Sequence, residues 1–174
     1  MSTDYLTKSG NRIVELLNSR GVGFDGGVDR LATPTSALSL CRLFRAGLKS
    51  VDKATLDQLR ELRQALLMML KPTSSRVARK SLDEIAASTK FTLGFSEPSK
   101  ATWSQISGNA VVGTVLQDCA NLINTGQLDR LKICANEACA AAFYDLTRSK
   151  TQRWHSYALC GNKSNVAAFR SRHS

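Results

Sequence analysis

The chain has 174 residues, 43% of them hydrophobic, and carries a formal net charge of +10 with a pI near 9.7. That length can bury one compact domain of roughly 120 to 130 residues and leave a small module over. No apolar run approaches the ~20 residues that a membrane span needs, and Met1-Ser2-Thr3-Asp4 lacks a basic segment ahead of an apolar core, so the expectation is a soluble, cytoplasmic protein.

Residues 1–10 are polar and are expected to fray. The stretch Asn11 to Asn18 holds Ile13, Val14, Leu16 and Leu17, too short a run to separate strand from helix by period. Four glycines follow between Arg20 and Asp29. They lack the order of a dinucleotide loop and the Lys-Ser/Thr of a phosphate loop, so they read as a turn. Thr33-Pro34 opens a helix, with Thr33 as cap and Leu38, Cys41, Phe44 and Leu48 as its buried face. Asp52 caps the next helix, whose leucines at 56, 59, 62, 66, 67 and 70 recur at three- and four-residue steps until Pro72 stops it. Arg60 falls on its wet side. Ser81 and Glu84 fit a capping box that starts a third helix.

Phe91, Leu93 and Phe95 alternate with Thr92 and Gly94, a strand signal. A turn at Ser96 to Lys100 and a returning strand over Ala101 to Gln105 complete a hairpin. A fourth helix spans about Asn109 to Thr125, with Gly126 at its C-cap and Val112, Val115, Leu116, Cys119, Leu122 and Ile123 as an apolar stripe. Cys41 and Cys119 both lie on apolar faces, where cysteine acts as a small hydrophobe.

The remaining three cysteines lie in the last 45 residues with a histidine, in the order Cys134, Cys139, His155, Cys160. Each pair is separated by four residues, and fifteen lie between the pairs. Two close pairs and a longer span suit one tetrahedral zinc, and in a reducing compartment such cysteines favour metal over disulfides. The span between them predicts a hairpin, with Phe143 to Leu146 outbound and Gln152 to Trp154 returning. Ser164 to Arg172 predicts a basic helix, with Asn162 fixing the turn before it. Trp154, Phe143 and Phe169 are the expected mini-core. From Arg130 onward the net charge is +6, the footprint of a polyanion binder. Arg148, Lys150, Arg153, Lys163, Arg170 and Arg172 are the candidate nucleic-acid contacts.

These elements predict an α+β chain: a mainly helical N-terminal domain with a small β-hairpin (residues 1–129), followed by a small C-terminal zinc-finger module of hairpin plus helix (residues 130–174). Four protein ligands, Cys134, Cys139, His155 and Cys160, would leave the zinc no open position, so its expected role is structural and the chain is not expected to be an enzyme. His173 is the only other histidine, and no nucleophile–base pairing is evident.

The module's residues also carry a family resemblance. Cys134 and Cys139, Phe143-Tyr144-Asp145 with Arg148, Arg153-Trp154-His155-Ser156 and Cys160-Gly161-Asn162-Lys163 together resemble the CGNR zinc finger. His155 stands where that family has its third cysteine, and Lys163 where its signature has arginine. Lysine keeps the charge but loses the planar fork suited to phosphate or guanine. Leu17-Asn18-Ser19-Arg20, the glycine turn and the element order resemble the ABATE domain that precedes that finger. The resemblance implies a stress-linked bacterial transcription regulator with one structural zinc and duplex DNA as partner. It also implies an N-terminal domain that senses a small-molecule effector through Asn18 and Arg20, or forms a homodimer. The competing expectation is a zinc-stabilised module that binds RNA or an acidic protein.

Overall fold

The computed structural model describes residues 3–23, 26–71, 76–97 and 100–173. The fold is α+β: a mainly helical N-terminal part with a β-hairpin, then a small hairpin-plus-helix module. The helices are α1 (Thr3–Asn18), α2 (Pro34–Phe44), α3 (Lys53–Met69), α4 (Arg76–Ala87), α5 (Ala110–Asn124) and α6 (Asn162–His173). The strands are β1 (Lys90–Glu97) and β2 (Lys100–Ser107), paired antiparallel, and β3 (Leu131–Ile133) and β4 (Ala142–Tyr144), also antiparallel. Among the described residues no helix is long and apolar enough to cross a membrane.

Contacts divide the chain into two compact units, residues 30–120 and residues 1–29 with 121–174. In the first, Thr33 and Ser36 form a reciprocal capping box and Pro34 sits in the first turn, so α2 starts where its sequence signals place it. The stripe it buries is Ala37, Leu40, Cys41 and Phe44, rotated from the expected Leu38 and Leu48. Asp52 accepts from the Thr55 amide at 2.7 Å and caps α3, which buries Leu56, Leu59, Leu62, Ala65 and Leu66. Asn109 links two elements. Its Oδ1 accepts from the amides of Val111 and Val112, and its Nδ2 donates to Thr55 Oγ1 at 2.6 Å. Arg60 is not merely solvated, since it donates to the carbonyls of Leu31 and Ala32. Cys41 and Cys119 are both buried, as their positions on apolar stripes predict.

One expectation in this part needs correcting, and another falls partly outside the described residues. The helix carrying Leu82 and Ile85 begins at Arg76, and Ser81 lies inside it. The Ser81–Glu84 spacing is therefore a coincidence within a run of good helix formers that buries Ala78. The turn expected between β1 and β2 includes Pro98 and Ser99, which lie outside the described residues.

The second unit holds the larger correction. Of the residues expected to fray, 3–10 form the first half of α1 and Ser9 and Gly10 are buried, while 1 and 2 lie outside the described residues. The reason is long-range. The Tyr144 ring of β4 lies against Gly10, and a Cβ there would sit 2.4 Å from its Cδ2. A small residue at that step lets the helix approach the strand, and Ile13, Leu16 and Leu17 are then fully buried behind it.

Gly10→Ala should therefore destabilise the protein although alanine favours helix. Overpacking of this kind costs about 1–3 kcal/mol, against a propensity gain of about 1 kcal/mol. Chemical denaturation of Gly10→Ala, Tyr144→Ala and the double variant checks this. A strongly non-additive pair is expected, and simple additivity would refute the packing argument.

Candidate metal centre

The centre is assembled from two turns that the backbone shapes independently. In the first, β3 and β4 pair through Leu131–Tyr144, Lys132–Phe143 and Ile133–Ala142. The ladder continues one step further, with the Cys134 amide donating to the Ala141 carbonyl at 2.8 Å. The chain between must reverse tightly. The Asn136 carbonyl accepts from the amides of Cys139 and Ala140, and its Oδ1 accepts from Ala138. Ala140 adopts a φ of 49°, the left-handed turn conformation that closes the loop. Cys134 and Cys139 thus face one point from the ends of a single hairpin.

This pairing corrects the predicted hairpin. The partner of Phe143 and Tyr144 is the segment 131–133, before the first cysteine, and not Gln152 to Trp154. Period alone could not choose between the two candidate partners, because both are short.

In the second turn, Ser156 caps a π-turn over Tyr157–Gly161, accepting from the Leu159 amide through its side chain. The Cys160 amide donates to the Ser156 carbonyl at 2.9 Å. Helix α6 follows without a break from Asn162, so Asn162 begins the helix and does not fix a separate turn.

The four candidate ligands converge. One ligand atom from each of Cys134, Cys139, His155 and Cys160 lies within 4.8 Å of all the others. His155 Nδ1 is 3.3 Å from Cys139 Sγ and 3.5 Å from Cys160 Sγ. Tetrahedral zinc, with bonds of about 2.3 Å to sulfur and about 2.0 Å to nitrogen, separates its donors by about 3.5–3.8 Å. The donor set therefore fits zinc in type, number and spacing. The three cysteines are buried, with Val22 and Trp154 packed against them. Burial, with the Cys160 thiol held as hydrogen-bond donor to Cys139 and Cys134, pushes it up to about 12. A buried divalent cation reverses that preference by stabilising the thiolates.

A second buried group shapes the loop between the turns. Asp145 has no exposed surface. Lys132 Nζ donates to its Oδ2 at 2.7 Å, the Gln152 amide to the same oxygen at 2.9 Å, and the Thr147 amide and hydroxyl to Oδ1. Burial opposes the carboxylate, but the bonds from Lys132, Thr147 and Gln152 outweigh it and hold the carboxyl well below its usual range. Lys132 also donates to the Lys150 carbonyl. Arg130 donates to the carbonyls of Asp145 and Thr147 at 2.8 and 2.9 Å. The loop is thereby wound around one carboxylate, and the Ala135 amide fixes its exit by donating to the Arg153 carbonyl at 2.9 Å. His155 is two residues on.

Helix α1 and the chain after it close the other side. Asn18 makes a two-bond clamp on Ala142, accepting its amide at 2.7 Å and donating to its carbonyl at 2.9 Å. Arg20 donates to the carbonyls of Leu17 and Ala140, both at 2.5 Å. The Gly23 amide donates to the Cys139 carbonyl at 3.0 Å. Asn18 and Arg20, expected to line an effector pocket, are thus engaged in holding the cysteine turn.

The expected nucleic-acid residues separate into groups. Arg148 and Arg153 are exposed, and the Arg153 guanidinium lies 5.1 Å from the Trp154 ring centroid. Lys163 and Arg170 are exposed on α6. Lys150 is half-buried, with Nζ 2.9 Å from an Asp129 oxygen, so it is tied down and not presented outward. Arg172 is in α6, but its side chain lies outside the described residues. Of the expected mini-core, Phe143 is buried and Trp154 packs on the cysteines, whereas Phe169 is exposed. Asp145 and Lys132 are the site residues that charge counting missed. From Arg130 onward only Glu137 and Asp145 are acidic, and an aspartate in so basic a segment was the available signal.

A short hairpin that supplies two cysteines, and a turn after it that supplies a histidine and a cysteine at the same point, make the donor set of a zinc finger. Residues 130–173 match the CGNR zinc finger family, so this stretch is a CGNR zinc finger domain with a cluster of three cysteines and one histidine. A search among curated proteins found no match.

Replacing Asp145 with alanine should lower stability by about 3–5 kcal/mol, since it removes the carboxylate from Lys132, which keeps only carbonyl partners, and leaves the Thr147 and Gln152 amides unpaired. The carboxylate's folded pKa is depressed, so its contribution is complete above the unfolded value of about 4 and lost as pH falls below it. Denaturation curves of wild type and Asp145→Asn should therefore converge on acidification below about pH 4. A gap independent of pH would contradict this.

Proposed function

We propose that this chain is a DNA-binding transcription regulator in which one zinc ion per chain holds the finger in shape. The observation that carries the reading is the closed Cys134–Cys139–His155–Cys160 cluster within a segment that presents exposed arginines and lysine. Four protein donors leave no coordination position for water or substrate, so the proposed zinc is structural and not catalytic. So small a hairpin-plus-helix unit would draw much of its folding free energy from coordination. Arg148, Arg153, Lys163 and Arg170 would meet phosphates, contacts that position a nucleic acid without reading its sequence. The helix α6 is the element of a size to enter a major groove.

Elemental analysis of protein made with ample zinc should find one zinc per chain. His155→Ala should lose or weaken it, and His155→Cys should keep it, because four thiolates also suit the metal. A folded, metal-free wild type would sink the reading. Duplex DNA affinity measured across salt concentrations should fall steeply with salt. Arg148→Ala and Arg153→Ala should each flatten the log–log slope by about 1 while zinc content stays at one. Preference for RNA or for an acidic protein over duplex DNA would favour the module as a different kind of binder.

A further inference from the structure

Tyr157 is exposed yet held in place from three sides. The residue is 62% exposed, on the turn between His155 and Cys160. A Cβ on Gly161 would lie 2.8 Å from its Cδ2, 3.1 Å from Cγ and 3.2 Å from Cε2. The distances to the two flanking carbons grow so little that the glycine sits over the face of the ring and not at its edge, where an in-plane approach would lengthen both far more. The Trp154 ring meets it in a T-shaped contact, centroids 5.8 Å apart and planes at 75°. Asn165 Nδ2 donates to its hydroxyl at 3.3 Å. One face is therefore against backbone, the tip is tethered, and the residue's large exposed area belongs to what remains.

An aromatic ring left in water costs hydration free energy, and ordering it costs rotamer entropy besides. Here Gly161, Trp154 and Asn165 fix the ring in one orientation without burying it. The surroundings are cationic: Arg153 stacks on the same Trp154 that contacts Tyr157, and Arg148 and Lys163 are exposed on the same domain. An ordered, exposed ring next to a tryptophan that carries an arginine is an arrangement suited to unpaired bases, with stacking on the ring and phosphates on the cations. An apolar protein partner would be disfavoured by the need to desolvate those cations.

We infer that Tyr157 is a stacking platform for an unpaired nucleobase, so that the finger holds single-stranded or locally opened DNA more tightly than intact duplex. This rests on the nucleic-acid reading above and adds to it a site and a class of ligand. It also gives Gly161 a physical reason, since any side chain there would push the ring off its seat. The base could come from a free single strand or from an opened duplex, and the two sources share the same chemistry at the ring.

The test uses the full zinc-loaded chain and three labelled probes of one length: a single-stranded oligothymidine, an intact duplex, and a duplex with an unpaired thymine bubble. Wild type should bind the strand or the bubble more tightly than the duplex, and the tighter of the two identifies the source. Tyr157→Ala should lose roughly 5- to 100-fold for the unpaired probes, with duplex affinity and zinc content unchanged. Tyr157→Phe keeps the ring and its Gly161 and Trp154 contacts, loses only the Asn165 tether, and should lose far less than Tyr157→Ala. Independently of any variant, a 5-iodouracil strand irradiated on the wild-type protein should cross-link at Tyr157. Wild type that prefers duplex, unaltered strand binding by Tyr157→Ala, or a cross-link confined to other residues would overturn the inference while leaving the finger a nucleic-acid binder. Absence of binding to all three probes at low salt would overturn both readings.

Discussion

The structure of the finger depends on four donor atoms brought to one point from two separately formed turns. Neither turn has an apolar core large enough to hold it. Cys134 and Cys139 are set by a three-rung ladder and an Asn136 turn, and Cys160 by a single π-turn before α6. The cluster joins the halves, together with the bond from the Ala135 amide to the Arg153 carbonyl, and burial pushes the Cys160 thiol up. The same constraint explains why Trp154 packs on the cysteines and Phe169 does not. A mini-core centred on a metal site has room for few side chains.

Two further devices bring the donors into range. Asp145 and Lys132 wind the loop that delivers His155, using a buried carboxylate whose acceptor sites are filled from several directions. Such a pair contributes less by net attraction than by making other loop arrangements costly. On the opposite side, Asn18, Arg20 and Gly23 hold the backbone of the cysteine turn from α1 and the segment after it. Contacts therefore group α1 with the finger, whereas chain order separates them by a hundred residues. The boundary drawn between residues 129 and 130 marks where the finger sequence begins. The spatial division falls elsewhere, at residues 29–30 and 120–121.

The positive charge of the segment serves two purposes. Arg130, Lys132 and Lys150 donate to carbonyls or carboxylates within the unit, so they act as architecture. Arg148, Arg153, Lys163 and Arg170 are exposed and remain the cations a polyanion could meet. Net charge by itself could not separate the groups, because a lysine beside a buried aspartate and an exposed lysine count alike.

The sequence by itself determined the features that depend on local chemistry. The caps at Thr33 and Asp52, the leucine stripe of α3, the β1–β2 alternation and the pairs of zinc-type donors are all legible, because each follows from spacing along a few residues. Only the tertiary structure decided the rest. It made a helix of residues 3–10 through the fit of Gly10 to Tyr144, chose segment 131–133 as the partner of β4, and turned Asn18 and Arg20 toward the cysteine turn. Each of those outcomes joins residues distant in the chain. Their free energy comes from close packing and buried hydrogen bonds that exist only once the partners have met.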